Sequence, residues 1–366
     1  MFWSASGGGV GRYLRNKQAW VAEFAPEWRH TLLVPDEPAP GRASLRAPRL
    51  PFSHGYRFPV GRRDAARQLV RLKPDVIEAG DPYRLAWSAL DAGWRLGVPV
   101  AAFTHSNAAE LAHRTAGALA GRAARAYLRR LYRQFDAVFA ASTWMVGELR
   151  ALGVDHVVHQ PMGVDCVMFH PRRARAEWRT RLGLSPRDCV LIYAGRFAPE
   201  KNLQVLADAV QRLGPHHALV LVGDGPAAPR GSRVIRLPYQ SDPVALSTAL
   251  ASADLFVHAG DQETFGLAAL ESLACGTPVI ASTSAGLRDL VDNHTVIGVH
   301  RVCAERFAEA ISSIRPAACE MRDAARVRAL QFDHRITFAR QFERYRALCA
   351  ASAFGEAEPK GATHGT

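Results

Sequence analysis

The stretch "HAGDQETFGLAALESLACGTPVIAS", residues 258–282, decides the reading of this chain. It opens at the end of an apolar run, "DLFVH", passes through a polar loop carrying Glu263, and enters a helical stretch near Phe265-Gly266 on which Glu271 lies. It closes on a second β-branched run, "PVIAS". Strand, loop, helix, strand is a βαβ unit, and apolar runs of this kind read as parallel strands buried on both faces.

If the segment from Glu263 to Glu271 were all helical, the two carboxylates would lie about 12 Å apart. That exceeds the roughly 5–9.5 Å that the acid/base pairs of glycosidases need. The spacing suits two hydroxyl clusters at opposite ends of an extended ligand. Between them the N–H groups of Thr264, Phe265, Gly266 and Leu267 form a helix N-terminus, where a phosphate binds well. A sugar, a diphosphate and a ribose in line fit these parts. The plainer alternative is a charged loop followed by an amphipathic helix whose Glu271 faces solvent.

Working outward, the same alternation fills the chain. The first half offers the strands "HTLLVP", "DVIEAG", "PVAAFTH", "AVFAAS" and "HVVHQPM". The second offers "CVLIYAGR", "ALVLVGDG", "RVIRLPY", "ADLFVHAG", "PVIAST" and "VIGVH". The fold class is α/β: two doubly wound parallel-sheet domains facing a cleft, with ligands beyond the carboxyl ends of the strands. The expected division is 1–168 for an acceptor-side domain and 169–330 for a nucleotide-binding domain. A helix over 331–350 crosses back to the first domain, and 351–366 is a disordered tail.

A second cluster, "YAGRFAPEKNLQVLADA" (193–209), puts Arg196 and Lys201 in a loop after a strand, with a helix opening near Asn202. Two cations there can neutralise a diphosphate, Arg196 as a bidentate partner and Lys201 as a point charge. The alternative is a solvated turn in which Glu200 pairs Lys201. No D-x-D occurs in the sequence, so fixed cations and helix dipoles are expected to stabilise a leaving group without a metal or other cofactor.

In the first half, "VPVAAFTHSN" ends with His105 at a strand edge, and "DVIEAGDPY" brings Asp81 and Tyr83 forward as acceptor contacts, or as a plain Asp-Pro turn. Asp165 in "PMGVD" stands at the hinge, where capping a turn would explain it. The stretch 112–133 carries Arg114, Arg122, Arg125, Arg129, Arg130 and Arg133 among apolar residues. It reads as a basic amphipathic helix for an anionic membrane surface, or as an ordinary surface helix.

Composition narrows the function classes. A chain of 366 residues suggests two domains, and 48% hydrophobic with 22% charged residues is ordinary for a globular protein. No apolar run approaches the roughly 18 residues of a membrane span, so a cytoplasmic place, peripheral at most on the inner membrane face, is expected. The six cysteines never form C-x-x-C, which argues against a zinc site or a disulfide framework. The net charge of +12 would favour polyanions, but only Lys17, Lys73, Lys201 and Lys360 are lysines, so the excess reads as an arginine bias. No nucleic-acid partner is expected.

The opening "MFWSASGGGVGRYL" is odd, because Gly7, Gly8 and Gly9 form a ligand-approaching loop with no strand ahead of it. Together these residues resemble glycosyltransferase family 4, the retaining enzymes of GT-B fold, over nearly the whole chain. "GGGVGRYL" is similar to that family's glycine loop, "FTHSN" to its first-domain histidine, "GRFAPEKN" to its diphosphate cradle, and "ETFGLAALE" to its E-x7-E signature.

The resemblance implies transfer of a hexose from GDP-mannose or a UDP-sugar to a hydroxyl of a glycan, glycolipid or lipid-linked acceptor, by a front-face mechanism. Glu263 would then contact the donor sugar, Glu271 the ribose, and Arg196 and Lys201 the diphosphate, together with the amides of Phe265, Gly266 and Leu267. Gly8 and Gly9 would admit donor and acceptor, and His105 would lie by the reacting carbon. The family's first strand would be missing or truncated at Met1-Phe2-Trp3. The rival readings are a nucleotide-sugar epimerase of the same architecture and a non-catalytic polyanion- or membrane-binding protein. A dinucleotide-binding dehydrogenase is weaker, for want of a G-x-G-x-x-G after a strand.

Overall fold

The computed structural model describes residues 8–34, 40–45, 47–48 and 61–354. The expected gap at Met1-Phe2-Trp3 lies outside these residues, as does the tail beyond 354. Twelve strands occur among the described residues, in chain order β1 (Leu32–Val34), β2 (Arg42–Ser44), β3 (Ile77–Ala79), β4 (Val100–Thr104), β5 (Ala137–Ala140), β6 (Val157–His159), β7 (Cys189–Ala194), β8 (His217–Val222), β9 (Val234–Leu237), β10 (Leu255–His258), β11 (Val279–Ser282) and β12 (Val296–Val299).

Strands β3-β4-β5-β6 form one parallel sheet, and β12-β11-β10-β7-β8-β9 form another. Strands β1 and β2 pair with each other in parallel. The short polar β2 was not expected from the sequence. In β7, Val190, Ile192 and Ala194 enter a core shared with the first half, while Cys189, Leu191 and Tyr193 enter a second core on the opposite face. Side chains alternate across a strand, so a sheet covered on both faces needs an unbroken apolar run. That is why these strands were legible.

The helix expected over 331–350 spans His334–Phe354 and is preceded by a separate helix, Met321–Leu330. The break falls at the crossing between halves. There Val164 and Asp333 form a parallel bridge, with Val164 N–H donating to Phe332 O at 2.9 Å and His334 N–H to Val164 O at 2.9 Å. Arg326 ties the same crossing down, donating to the carbonyls of Cys166 (2.7 Å), Phe169 (2.8 Å) and Ala274 (2.7 Å).

The last helix then packs on the first half. Phe338 and Phe342 lie against Trp20, and Tyr345 meets Phe139 edge-on. Helix extends through Phe354, so 351–354 correct the expectation of a tail beginning at 351.

Beside these aromatics sits a buried polar cluster. Lys17, only 2% exposed, donates to Glu78 Oε1 at 2.9 Å and to the Tyr345 hydroxyl at 2.7 Å. Gln341 and Tyr345 both donate to Glu78 Oε2, and Tyr13 donates to Gln341 Oε1 at 2.7 Å. First helix, first sheet and last helix are thus joined by charge as well as by packing. The helix Ala108–Tyr132 is kinked at Gly117 (φ 84°, ψ −179°), a correction to the continuous helix expected there.

Candidate active site

In the larger sheet β7 and β10 are neighbours, yet the chain winds away from them in opposite directions, to β8-β9 and to β11-β12. A crevice opens outside the strand ends at such a switch point, and ligands bind there. The two sequence motifs lie at these two strand ends.

After β7 the chain makes a tight turn, Pro199–Lys201, and Asn202 in a left-handed conformation (φ 51°) passes it into the helix Leu203–Leu213. Asn202 Nδ2 donates to Ala259 O at 3.1 Å, which fixes this loop to the end of β10. Lys201 is buried and forms an ion pair with Glu263. His258 Nδ1 accepts Gly260 N–H at 3.0 Å, so the Nε2 proton points to Glu263 Oε1 at 3.2 Å. Burial opposes ionisation of Glu263, but Lys201 and His258 outweigh it and hold the carboxyl well below the usual range.

Arg196 is placed differently from its expected role beside Lys201. Its side chain is 69% exposed and pairs with Glu200 at 3.0 Å. The alternative Glu200–Lys201 turn is not formed either, because each residue has a different partner.

The signature helix is Leu267–Ala274, capped by Gly266 at φ 97°, so Thr264 and Phe265 lie in the loop ahead of it. This corrects the expectation that all four amides belong to one helix N-terminus. Gly286 clamps the loop: its N–H donates to Glu263 O at 2.7 Å, and a Cβ there would meet Thr264 O at 2.1 Å. Glu271 is 2% exposed, which excludes the solvent-facing alternative. Its Oε1 accepts Arg12 Nη1 at 2.5 Å, while Oε2 is buried with no hydrogen-bond partner among the described residues. Burial pushes this carboxyl above its ordinary value even with Arg12 beside it.

From the first half, His105 stacks on Phe103 at 4.6 Å and meets Tyr13 edge-on. Both ring nitrogens are buried without hydrogen-bond partners among the described residues, and burial pulls the pKa down to about 4. The imidazole is neutral near pH 7. The His105 carbonyl accepts Thr264 Oγ1 at 3.1 Å, which joins the histidine strand end to the signature loop across the cleft.

Gly8 and Gly9 begin the helix Gly8–Phe24 rather than forming a loop ahead of it, with Gly9 facing Leu267. Asp81 Oδ1 accepts Tyr83 N–H at 3.1 Å, which is the plain turn, and Tyr83 starts the helix Arg84–Leu96. Gly80 ahead of it faces the His105 ring. Asp165 caps a turn through Val167 and Met168 N–H.

Further contacts cross the cleft. Thr143 Oγ1 donates to Asp289 at 2.9 Å, and Arg114 pairs with Asp261 at 3.2 Å. A cavity of about 430 Å³ lies here, lined by Thr143, His159, Pro161, Phe265, Arg288, Asp289 and Phe332. Among the described residues no group of three or more His, Cys, Asp or Glu could hold a metal ion.

Sequence reasoning missed Arg12 and His258. Arg12 gave no signal, since its partner is 259 positions away. His258 did give one: it closes a buried strand and stands two residues before a glycine.

Residues 7–167 match the profile described as Glycosyltransferase Family 4, and 188–315 match Glycosyl transferases group 1. The chain is 33% identical over 291 residues to the GDP-mannose-dependent alpha-(1-6)-phosphatidylinositol dimannoside mannosyltransferase of Mycobacterium tuberculosis, covering 74% of this chain and 72% of the other. It is 35% identical over 221 residues to a GDP-mannose-dependent alpha-mannosyltransferase of Mycolicibacterium smegmatis, covering 60% of this chain and 58% of the other. Among solved structures, sucrose-phosphate synthase from Thermosynechococcus elongatus superposes with a TM-score of 0.73 at 23% identity, over 94% of each chain. Anabaena HepE in complex with UDP and glucose gives 0.66 at 18% identity, covering 77% of this chain and 80% of the other.

Proposed function

The chain belongs to glycosyltransferase family 4 and is a glycosyltransferase of GT-B fold, and we propose that it moves mannose from GDP-mannose to a hydroxyl of a lipid-linked or glycan acceptor with retention of anomeric configuration. The similarity to mannosyltransferases named for GDP-mannose supports this donor over a UDP-sugar. One observation carries the reading. Two carboxylates stand on the loop and helix after β10: half-buried Glu263, engaged by Lys201 and His258, and buried Glu271, one oxygen of which has no partner among the described residues.

In this reading Glu263, ionised and therefore acceptor-only, orients the hydroxyls of the transferred sugar. Lys201, Arg196 and the amides of Phe265, Gly266 and Leu267 hold the diphosphate, and Glu271 takes the ribose. Arg196, being exposed, turns from Glu200 to the phosphates when the donor is bound. His105, neutral, hydrogen-bonds near the reacting carbon, and Asp81 and Tyr83 contact the acceptor. The acceptor oxygen bonds to the anomeric carbon on the face from which the phosphate oxygen departs, and the hydroxyl proton passes to that departing oxygen. The protein's part is position and fixed charge, with cations doing the work without a metal.

The acceptor is taken to lie at an anionic membrane surface on the cytoplasmic side. After the kink at Gly117, the helix exposes Leu119 and Tyr127 among Arg122, Arg125, Arg129 and Arg130. No helix among the described residues is long and apolar enough to cross a membrane.

A donor screen tests the reading. GDP-mannose and a panel of UDP-sugars are offered with EDTA present, and release of nucleoside diphosphate is followed. GDP release from GDP-mannose, lost in Glu263→Ala, is expected. Turnover of a UDP-sugar alone would overturn the donor, and turnover only after a divalent ion is restored would overturn metal independence.

A further inference from the structure

Arg12 stands in the first turns of the helix Gly8–Phe24, in the first half of the chain, but its guanidinium is surrounded by the second. It pairs with Glu271, it lies 6.0 Å from the Phe169 ring centroid, and it interacts with Tyr239 just beyond β9. The side chains of Arg12 and Glu271 are 16% and 2% exposed. Ions buried this deeply need every lone pair answered, or the desolvation cost outweighs the attraction. Glu271 Oε2 is not answered among the described residues. Unsatisfied buried acceptors of this kind call for a partner, and a ligand hydroxyl is one.

We propose that Arg12 is a positioning residue for the donor: it holds Glu271 Oε1, so that Oε2 is turned to accept a ribose hydroxyl. The nucleoside end of the donor site is therefore a joint product of both halves. This inference rests on the glycosyltransferase reading above and adds the residue that completes its ribose contact.

The test is calorimetric titration of the full-length protein with GDP and with UDP, beside steady-state kinetics. Arg12→Ala should weaken binding of the preferred nucleotide about tenfold to a hundredfold. Arg12→Lys should recover most of that loss. In the double variant Arg12→Ala/Glu271→Gln the loss should stay within about threefold of Glu271→Gln alone, because the two residues act as one unit. The donor KM should rise in Arg12→Ala while the acceptor KM holds. Wild-type-like nucleotide binding by Arg12→Ala, losses that multiply in the double variant, or a rise confined to the acceptor KM would each overturn the proposal. A wild-type protein that binds neither GDP nor UDP overturns the donor reading itself, and is told apart because it needs no variant.

Discussion

Lys201 and Glu263 are 62 positions apart and meet as an ion pair at the one place where the larger sheet reverses its winding. Each follows a different strand, β7 or β10, so the pair spans the switch point. With His258 as third member, the pair adds charge to the loop contacts that hold the two strand ends together.

Lys201→Ala removes a fixed cation and strands the half-buried Glu263 carboxylate. Turnover should fall about 10²–10³-fold, and stability by roughly 3–5 kcal/mol. Lys201→Ala/Glu263→Gln should recover much of the stability and none of the turnover, which urea melts and kinetics on the same samples will separate. Glu271→Ala should chiefly weaken donor binding, whereas Glu263→Ala should lower kcat as well. Wild-type kinetics in both would remove the site assignment.

Gly286→Ala tests the clamp behind the signature loop. Its new methyl must displace the Thr264 carbonyl, because a Cβ stands 2.1 Å from that oxygen. A cost of about 1–3 kcal/mol from overpacking is expected, with at least tenfold lower kcat. A variant with unchanged activity would show that the loop has room the structure denies it.

The buried Lys17–Glu78 pair should behave as a unit. Lys17→Met alone leaves Glu78 uncompensated and should cost about 3–5 kcal/mol, and adding Glu78→Gln should return most of it. Thermal melts of the two variants give the comparison. Additive losses would show that the cluster is not coupled.

Acid should weaken the fold in a defined window. His105 and His30 are buried toward neutrality and pulled down to about 4 from 6.5. The unfolded chain takes up protons below 6.5 while the native state declines them until about 4, so stability falls as pH drops between those values. His159 and His217 shift the same way, and Glu271, raised by burial, works against them. From pH 7 to 5 the loss should be roughly 2–4 kcal/mol by urea denaturation, and smaller in His105→Gln. A flat profile would mean that these rings reach solvent.

Sedimentation with vesicles tests the basic helix. Binding to anionic vesicles should exceed binding to neutral ones, fall with salt, and drop severalfold in Arg122→Glu/Arg125→Glu. Equal recovery with both vesicle types would leave the helix an ordinary surface element.

The central strands of both sheets were legible because a strand buried on both faces cannot hide its apolar run, as "CVLIYA" and "LVLV" illustrate. Strand β2, polar and at a margin, has no such signature. The carboxylates and Lys201 were legible by their spacing from strand ends. Arg12 was not, because the contact that gives it meaning is made by folding rather than by neighbourhood in sequence. Arg196 shows the converse: the residue was found, but the sequence could not reveal that it turns outward to Glu200. The kink at Gly117 was hidden because a lone glycine in a helical pattern is often tolerated.

The Val164–Asp333 bridge has a mechanical consequence. The polypeptide passes between the two halves twice, along adjacent parallel paths, like two threads stitched into one spine. Such a binding lets the covers swing about a common line but resists their sliding or drifting apart. A single proteolytic nick in either thread would leave the molecule in one piece, with its swing freer and its alignment less exact.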